Sequence, residues 1–398
     1  MKKLIAVAVV LVLVAGGVFA DLSVGGSFGS KVDVMKGDNK DGSDVMGGQS
    51  IVSAHVDANF SSEKYGGRVR LFSFPQKGWW QNYSAEYKAP DDPDGQPSVG
   101  VSATGAPFAF VWWKPIDQFR IQVGTNPDGN WGAQQLGGWG MNGSAQDFVA
   151  VDNDSGDAPG GAPTPWRTAR SAGFYGGFSN TGVLVSIYPT DIVDINFALP
   201  YGNGKAGGDR KLEDIFKGFT ANLVFKIDGI GRAYLSFNSN PAGSPGNLWA
   251  SFYLTKIDGV LVDIGLGFFL PDSDADKGDG LSIGLGARYT AGDFQFRFRA
   301  GATLAGYAGD AKNPTTIGVA VMSYYNFGSF RGFFNAGFGL SIPSEGDSSL
   351  GWYVNPYIQL PAGGLNFWAG VKLAGASPGG GADSIVVWQI PIGISVGF

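Results

Sequence analysis

The chain has 398 residues, a net charge of −6 and only 16% charged residues. It is rich in glycine, with 65, and in aromatic residues, with 29 Phe, 14 Tyr and 11 Trp. Because it has no cysteine, the sequence excludes disulfides, thiolate metal sites and cysteine nucleophiles. Binding to nucleic acid is not expected of an acidic chain, since phosphates are bound by clustered Lys and Arg. No motif indicates a cofactor.

The first 20 residues have the pattern of a secretory signal peptide. Two lysines precede an apolar stretch at residues 4–14, and small residues end the segment at Ala20. We therefore predict cleavage after Ala20 and a mature chain, 21–398, that forms a single domain. The alternative, a membrane anchor, would need an apolar run of about 20 residues, which is longer than this one.

No later segment contains an apolar run of that length. Hydrophobic residues instead alternate with polar ones, and the mean hydropathy is only +0.02. Alternating segments of about ten residues are typical of transmembrane strands. Because lipid offers no partner for backbone hydrogen bonds, a membrane protein without spanning helices must be a closed barrel. The predicted fold is therefore all-β, a transmembrane antiparallel β-barrel.

From Asp21 onward the alternating segments come in pairs that tight turns connect. We predict these turns at 115–116, 189–190, 228–229, 258–259, 291–292, 328 and 362–363. With further strands at 22–34, 52–60, 65–74 and the C-terminus, the pattern predicts 18 strands. The alternative is 16, because alternation is weakest at 22–34, at 65–74 and near 173–178.

Long loops rich in Gly, Pro, Asn and acidic residues are predicted to join the other ends of the strands. They are 36–48, 75–101, 126–171, 200–213 and 271–278. Short turns on one rim and long loops on the other are typical of outer-membrane barrels, whose turns face the periplasm. The longest of these loops, 126–171, carries three tryptophans and five aspartates: Asp128, Asp147, Asp152, Asp154 and Asp157.

Alternation also predicts which side chains face the lumen. In the segment 294–299, three phenylalanines alternate with Gln295, Arg297 and Arg299. An arginine facing lipid costs roughly 2–4 kcal/mol at the membrane centre, so the charged residues are predicted to face inward. The predicted inward basic residues are Arg68, Arg70, Arg120, Lys226, Arg232, Arg288, Arg297, Arg299, Arg331 and Lys372. The predicted inward acids are Asp57, Asp194 and Asp263.

This basic surplus predicts a wet lumen whose positive field favours anions. The alternative interpretation is that the arginines pair with loop carboxylates and simply fill space.

Catalytic and metal-binding motifs are weak in this sequence. The only histidine, His55, cannot build a multi-histidine metal site, and no serine is positioned beside it. Residues 138–143 match GxGxxG but lack the strand and helix that a dinucleotide site requires. The acidic segment 272–276 lacks the glycine and glutamate positions of a calcium loop. We predict neither a bound metal nor an enzyme.

The C-terminal segment, 384–398, is amphipathic with a period of two. Its apolar face consists of Ile390, Ile392, Ile394, Val396 and Phe398. In this segment Gly393, Val396 and Phe398 resemble the C-terminal insertion signal of bacterial outer-membrane β-barrels. Pro391 departs from that signal, because it stands where a polar residue is usual. The resemblance implies that the barrel-assembly machinery recognises this strand.

The mature chain resembles bacterial outer-membrane porins in its overall pattern. The resemblance implies a barrel surrounded by outer-membrane lipid, with an aqueous channel for passive diffusion of small hydrophilic solutes. It also implies homotrimers, which many porins form. Loop 126–171 resembles the inward-folded third loop of general porins, which would place its aspartates opposite the arginines. The alternative for this segment is an exposed surface loop. The alternative function is a surface adhesin or antigen barrel that binds partners through its loops.

Overall fold

The computed structural model describes one antiparallel β-sheet of 19 strands. The described residues are 21–39, 42–74, 109–125, 181–200, 218–239, 246–270, 280–305, 314–377, 379–381 and 383–397. The strands are β1 (Asp21–Asp38), β2 (Gly42–Ser61), β3 (Tyr65–Phe74), β4 (Ala109–Ile116), β5 (Phe119–Thr125), β6 (Thr181–Thr190), β7 (Val193–Pro200), β8 (Thr220–Ile227), β9 (Gly231–Asn238), β10 (Asn247–Leu254), β11 (Val260–Phe269), β12 (Gly280–Ala291), β13 (Phe294–Ala305), β14 (Thr315–Asn326), β15 (Arg331–Ile342), β16 (Ser349–Ala362), β17 (Leu365–Gly370), β18 (Lys372–Ser377) and β19 (Ile385–Gly397).

The sheet closes on itself, which confirms the predicted barrel. From β1 to β17 each strand pairs with the next along the chain, and β19 pairs with β1 from Ser27↔Gly397 to Asp38↔Val387. The strands β17 and β18 are separated by Val371 alone, and both pair with β16 and β19. They share one place in the ring, so the 19 described strands fill eighteen places.

The two faces of the sheet differ sharply, as β12 shows. In its middle, Ser282, Gly284 and Gly286 are buried on the inner side, with Ser282 at 2% exposure. Ile283 and Leu285 between them are exposed on the outer side, with Leu285 at 39%. An outward wall of exposed apolar side chains fits a lipid environment, because side chains of a strand alternate between its faces.

The same alternation shows which residues of the C-terminal strand face inward and which face outward. Ile392 is exposed on the outer face of β19, and Ser395 is buried on the inner face. By the same period, Gly393 lies on the inner face and Val396 on the outer face. Phe398 lies outside the described residues.

Most of the predicted hairpins are confirmed. The strands β12 and β13, for example, pair up to Ala291↔Phe294, and Gly292 between them has a φ of 54°. That left-handed conformation favours glycine, which explains why this residue marks the turn.

Two predicted turns are wrong by two residues. The residues 115–116 and 189–190 belong to β4 and β6, and the turns follow them. Both strand pairs have a register shift at that point, between Trp113 and Ile116 and between Ile187 and Thr190. An irregular pairing accommodates proline at a strand end, because a residue without an N–H loses no ladder hydrogen bond there.

The predicted loop 36–48 is also wrong, because β1 and β2 pair as far as Asp38↔Gly42. This hairpin is held against the C-terminal strand. The backbone N–H of Asn39 donates to Val386 O (3.0 Å), and its side chain donates to Ser384 O (3.0 Å). Pairing with β19 thus overrides a local sequence rich in Gly and Asp. The predicted loops 75–101, 126–171 and 271–278, most of 200–213 and the segment 173–178 lie outside the described residues.

Within the described ranges, no helix is long and apolar enough to cross a membrane.

The outward position of Leu285, midway along β12, gives a direct test of the lipid face. We expect Leu285→Arg to lower the free energy of unfolding in lipid vesicles by about 2–4 kcal/mol, because the guanidinium would face hydrocarbon. Guanidinium-induced unfolding measures the change, and Leu285→Phe, which keeps the site apolar, is the control. Equal stability of the Arg and Phe variants would mean that this face does not contact lipid.

The inner wall as the candidate functional site

The inner wall is organised in rows of residues that lie directly opposite one another on neighbouring strands. Opposite residues in an antiparallel pair point to the same side of the sheet, so a row keeps to one face. Three neighbouring rows cross the inner wall and differ in chemistry. We call them the polar row, the glycine row and the charged row.

The polar row crosses twelve consecutive strands, from β5 to β16. Its members are Arg120, Ser186, Asn196, Asn222, Ser236, Trp249, Gly267, Ser282, Thr303, Thr316, Ser341 and Ser349. Side chains within it bond to one another: Asn196 Nδ2 donates to Asn222 Oδ1 (3.1 Å), and Asn222 Nδ2 donates to Ser236 Oγ (2.8 Å). This part of the wall offers amides and hydroxyls and almost no charge.

The glycine row lies next to it on β11–β16. One glycine from each strand stands directly opposite the next: Gly265, Gly284, Gly301, Gly318, Gly339 and Gly351. All six are buried. Glycine inside a strand weakens it and marks places where another group approaches the backbone closely. Across these six strands the inner wall therefore presents bare backbone.

The charged row follows on the other side of the glycines. It contains Lys226, Arg232, Tyr253, Asp263, Gly286, Arg299 and Ala320. Asp263 and Arg299 are 0% and 3% exposed, and Arg299 Nη2 lies 3.5 Å from Asp263 Oδ2. The residue between them, Gly286, has no side chain, so the two ends of the pair can meet across β12. Lys226 Nζ pairs in turn with Asp194 Oδ1 at 2.6 Å.

A further row places two arginines face to face. Arg288 on β12 stands directly opposite Arg297 on β13. Arg297 Nε donates to Gln295 Oε1 (2.9 Å), which orients its guanidinium. Like charges directly opposite each other destabilise a sheet. The pair raises the positive potential at this point of the inner wall.

The third predicted inward acid, Asp57, is shared by two arginines of β3. Arg70 Nε donates to Asp57 Oδ1 (2.6 Å) and its Nη2 donates to Oδ2 (2.9 Å). Arg68 Nη2 donates to the same Oδ2. Arg70 and Asp57 are both buried, so this is a bidentate pair of the strong kind.

Nine of the predicted basic residues lie within six residues of a short turn, and we call them the basic collar. They are Arg68, Arg70, Arg120, Lys226, Arg232, Arg288, Arg297, Arg299 and Arg331. Arg120 is held over the ring of Trp112, 4.6 Å from its centroid. Lys372 lies farther from the rim, opposite Gln389 on β19. The three inward acids each pair with members of this collar.

An inward aromatic cluster near the same rim was missed by the sequence analysis. The rings of Phe333 and Tyr357 stack 4.6 Å apart, Trp368 lies 5.9 Å from each, and Tyr324 is 5.6 Å from Phe333. Trp368 Nε1 donates to Ser395 Oγ (3.2 Å). These rings share a face with Asn335 and Asn355, and this shared alternation was a usable signal in the sequence.

For some of the predicted residues the structure gives no side-chain position. The loop residues Asp128, Asp147, Asp152, Asp154 and Asp157 lie outside the described residues. His55 lies on β2 opposite Ser27, and its side chain is not among those described. Among the described residues, no three or more His, Asp or Glu side chains are grouped so as to hold a metal.

At the turn between β4 and β5, an exposed ion pair lies away from these rows. Lys114 Nζ donates to Asp117 Oδ1 (2.8 Å) and lowers the pKa of that carboxyl.

No protein-family model matches this chain, and comparison with curated proteins found no match. Solved structures match in fold. OccK10 (OpdN) of Pseudomonas aeruginosa has a TM-score of 0.50 and 9% identity, and the match covers 94% of this chain and 98% of that one. OpdQ of the same organism has a TM-score of 0.49 and 9% identity, with 95% and 98% covered. OccAB4 of Acinetobacter baumannii has a TM-score of 0.48 and 8% identity, with 94% and 98% covered. The chain therefore has the β-barrel fold of outer-membrane porins.

The buried pair across Gly286 predicts a measurable coupling. We expect Asp263→Asn to lower the free energy of unfolding by about 3–5 kcal/mol, because Arg299 would keep a buried charge without its carboxylate. The double variant Asp263→Asn/Arg299→Gln should recover part of that loss. Urea unfolding in detergent micelles measures each term.

Removal of the exposed pair at Lys114 and Asp117 serves as the control and should leave stability unchanged. Strictly additive losses at Asp263 and Arg299 would contradict the coupling.

Proposed function

We propose that this chain is a porin of the bacterial outer membrane, a water-filled channel for passive diffusion of small hydrophilic solutes with a preference for anions. The closed ring, its apolar outer face and its polar inner rows support a channel. A ring of eighteen places is also wide, since barrels of 16–18 strands leave an aqueous passage. The proposal includes no catalytic step.

One observation carries the anion preference: arginines outnumber carboxylates on the described inner wall of β12 and β13. Arg288, Arg297 and Arg299 face inward there, and among the described residues the one inward carboxylate near them is Asp263 on β11. Two arginines directly opposite each other, Arg288 and Arg297, destabilise the sheet. Attraction of anions therefore explains their position better than stability does. The alternative is that each arginine is neutralised by a neighbouring acid. Among the described residues this fits Arg299, which pairs with Asp263, but not Arg288 or Arg297.

We further propose that loop 126–171 narrows the channel, with Asp128, Asp147, Asp152, Asp154 and Asp157 facing the basic collar. Two features support this. The loop connects β5 and β6, so it begins and ends on the long-loop rim. The glycine row leaves one band of the inner wall of β11–β16 without side chains, which provides room at that height of the barrel.

Assembly is proposed to begin at β19. This strand closes the ring against β1, and its inner Gly393 and outer Val396 are two of the residues that resemble the insertion signal. A machinery that inserts outer-membrane barrels would therefore bind the strand whose pairing completes the fold.

Ion selectivity tests the proposal. In planar bilayers under a KCl gradient, we expect a reversal potential that shows a chloride-to-potassium permeability ratio above one. The variant Arg288→Gln/Arg297→Gln should lower that ratio, because it removes two charges that face the lumen.

The control is Lys64→Gln/Lys256→Gln, which removes two exposed charges from short turns and should leave the ratio unchanged. Cation selectivity of the unsubstituted protein would refute the anion preference, although the channel itself would stand.

Deletion of residues 137–161 tests the proposed narrowing. A shortened loop 126–171 should raise single-channel conductance, because less of the cross-section would be occupied. The same recordings on full-length protein give the reference value. If conductance does not change on deletion, the loop lies outside the channel.

A further inference from the structure

A groove of 530 Å³ indents the outer wall of the barrel at β13–β17, beside the short-turn rim. Its volume lies in the range of small-ligand sites, about 300–1,000 Å³. The residues that point into it from the outer face include Phe294, Tyr325, Phe334, Pro356, Ile358 and Val371. None of the described residues that line it is charged.

Small residues on the outer face create the groove. Phe294, Tyr325, Gly332, Ile358 and Ala369 form one row of directly opposite residues. Gly332 has no side chain, so the wall is low between Tyr325 and Ile358, and Ala369 has only a methyl, so the wall is low again beyond Ile358. The result is a trough that crosses β13–β17.

Aromatic rings close the groove at the rim. Phe327 and Phe330 of the turn stack with centroids 4.6 Å apart, and Tyr325 meets Phe327 edge-on at 4.8 Å. Phe327 is 54% exposed although it is among the largest apolar side chains. A Cβ at Gly332 would lie 3.2 Å from the Phe327 ring, so this ring leans over the glycine.

We propose that this groove binds one acyl chain of a phospholipid from the periplasmic leaflet. The surrounding outer wall already faces hydrocarbon, and the groove continues that surface without a charged group. It lies at the short-turn rim, where the aromatic belt of a barrel meets the lipid headgroups. The inference rests on the proposed function for the position of this rim in the outer membrane.

A second copy of the chain is the other occupant to consider. An interface between stable copies buries about 800 Å² on each partner, with large side chains that interlock. Here two members of the row, Gly332 and Ala369, have little or no side chain of their own to interlock with a partner. A flexible chain of methylenes fills such a trough better.

Native mass spectrometry with titrated palmitoyl-oleoyl phosphatidylethanolamine tests the proposal on the full-length protein in detergent. We expect one lipid adduct that survives activation better than the others. The filling variants Gly332→Leu and Ala369→Leu should each lose that adduct. Two variants are used because Gly332→Leu must displace the Phe327 ring, whereas Ala369→Leu extends an existing side chain.

The matched control is Ala250→Leu, which adds a leucine to the outer face of β10 between Leu235 and Leu266. It should keep the adduct. An adduct that is equally stable in all four proteins would overturn the proposal. So would a filling variant that changes the oligomeric mass while its lipid binding stays intact, because the occupant would then be a second copy.

Single-channel conductance of the same variants separates this proposal from the porin function. Filling the groove should leave conductance unchanged, since the groove lies outside the barrel. If the filling variants lose the adduct and neither they nor the unsubstituted protein conducts, the groove would be supported and the channel refuted.

Discussion

The fold depends on one constraint, the pairing of β19 with β1. Within a bilayer no water is available to the edge of an open sheet, so each unpaired N–H or C=O costs several kcal/mol. Closure removes both edges at once. The Asn39 contacts with Val386 and Ser384 extend this seam at the long-loop rim. Closure also gives the sheet an inside, and this is why alternation along each strand becomes a difference between a lipid face and a lumen face.

The inner wall has two features that a sheet selected only for stability would not have. Glycines stand in register on six strands, from Gly265 to Gly351, and Arg288 opposes Arg297. Neither arrangement favours the sheet by itself. The buried pair of Asp263 and Arg299 shows that the same wall can neutralise a charge where stability requires it. The balance between paired and opposed charges is the physical basis of the proposed anion preference.

Sequence reasoning succeeded where local chemistry decides the structure. Gly292 marks its hairpin because the turn requires a left-handed residue. It failed where distant strands decide, as at 36–48, where β19 extends the hairpin of β1 and β2. The rows of the inner wall could not be predicted either, because the register between two strands cannot be read from the sequence of one strand alone. The aromatic cluster around Phe333 was missed for a different reason, the assumption that inward residues are polar.

The proposed function requires that the ring encloses a passage for water and ions. Single-channel recording of the refolded wild-type protein measures this passage, with insertion verified by protease protection of the strands. A wet pore should give discrete conductance steps that scale with KCl concentration. Correctly inserted protein that gives no steps would refute the channel, because the lumen would then be closed by its own side chains.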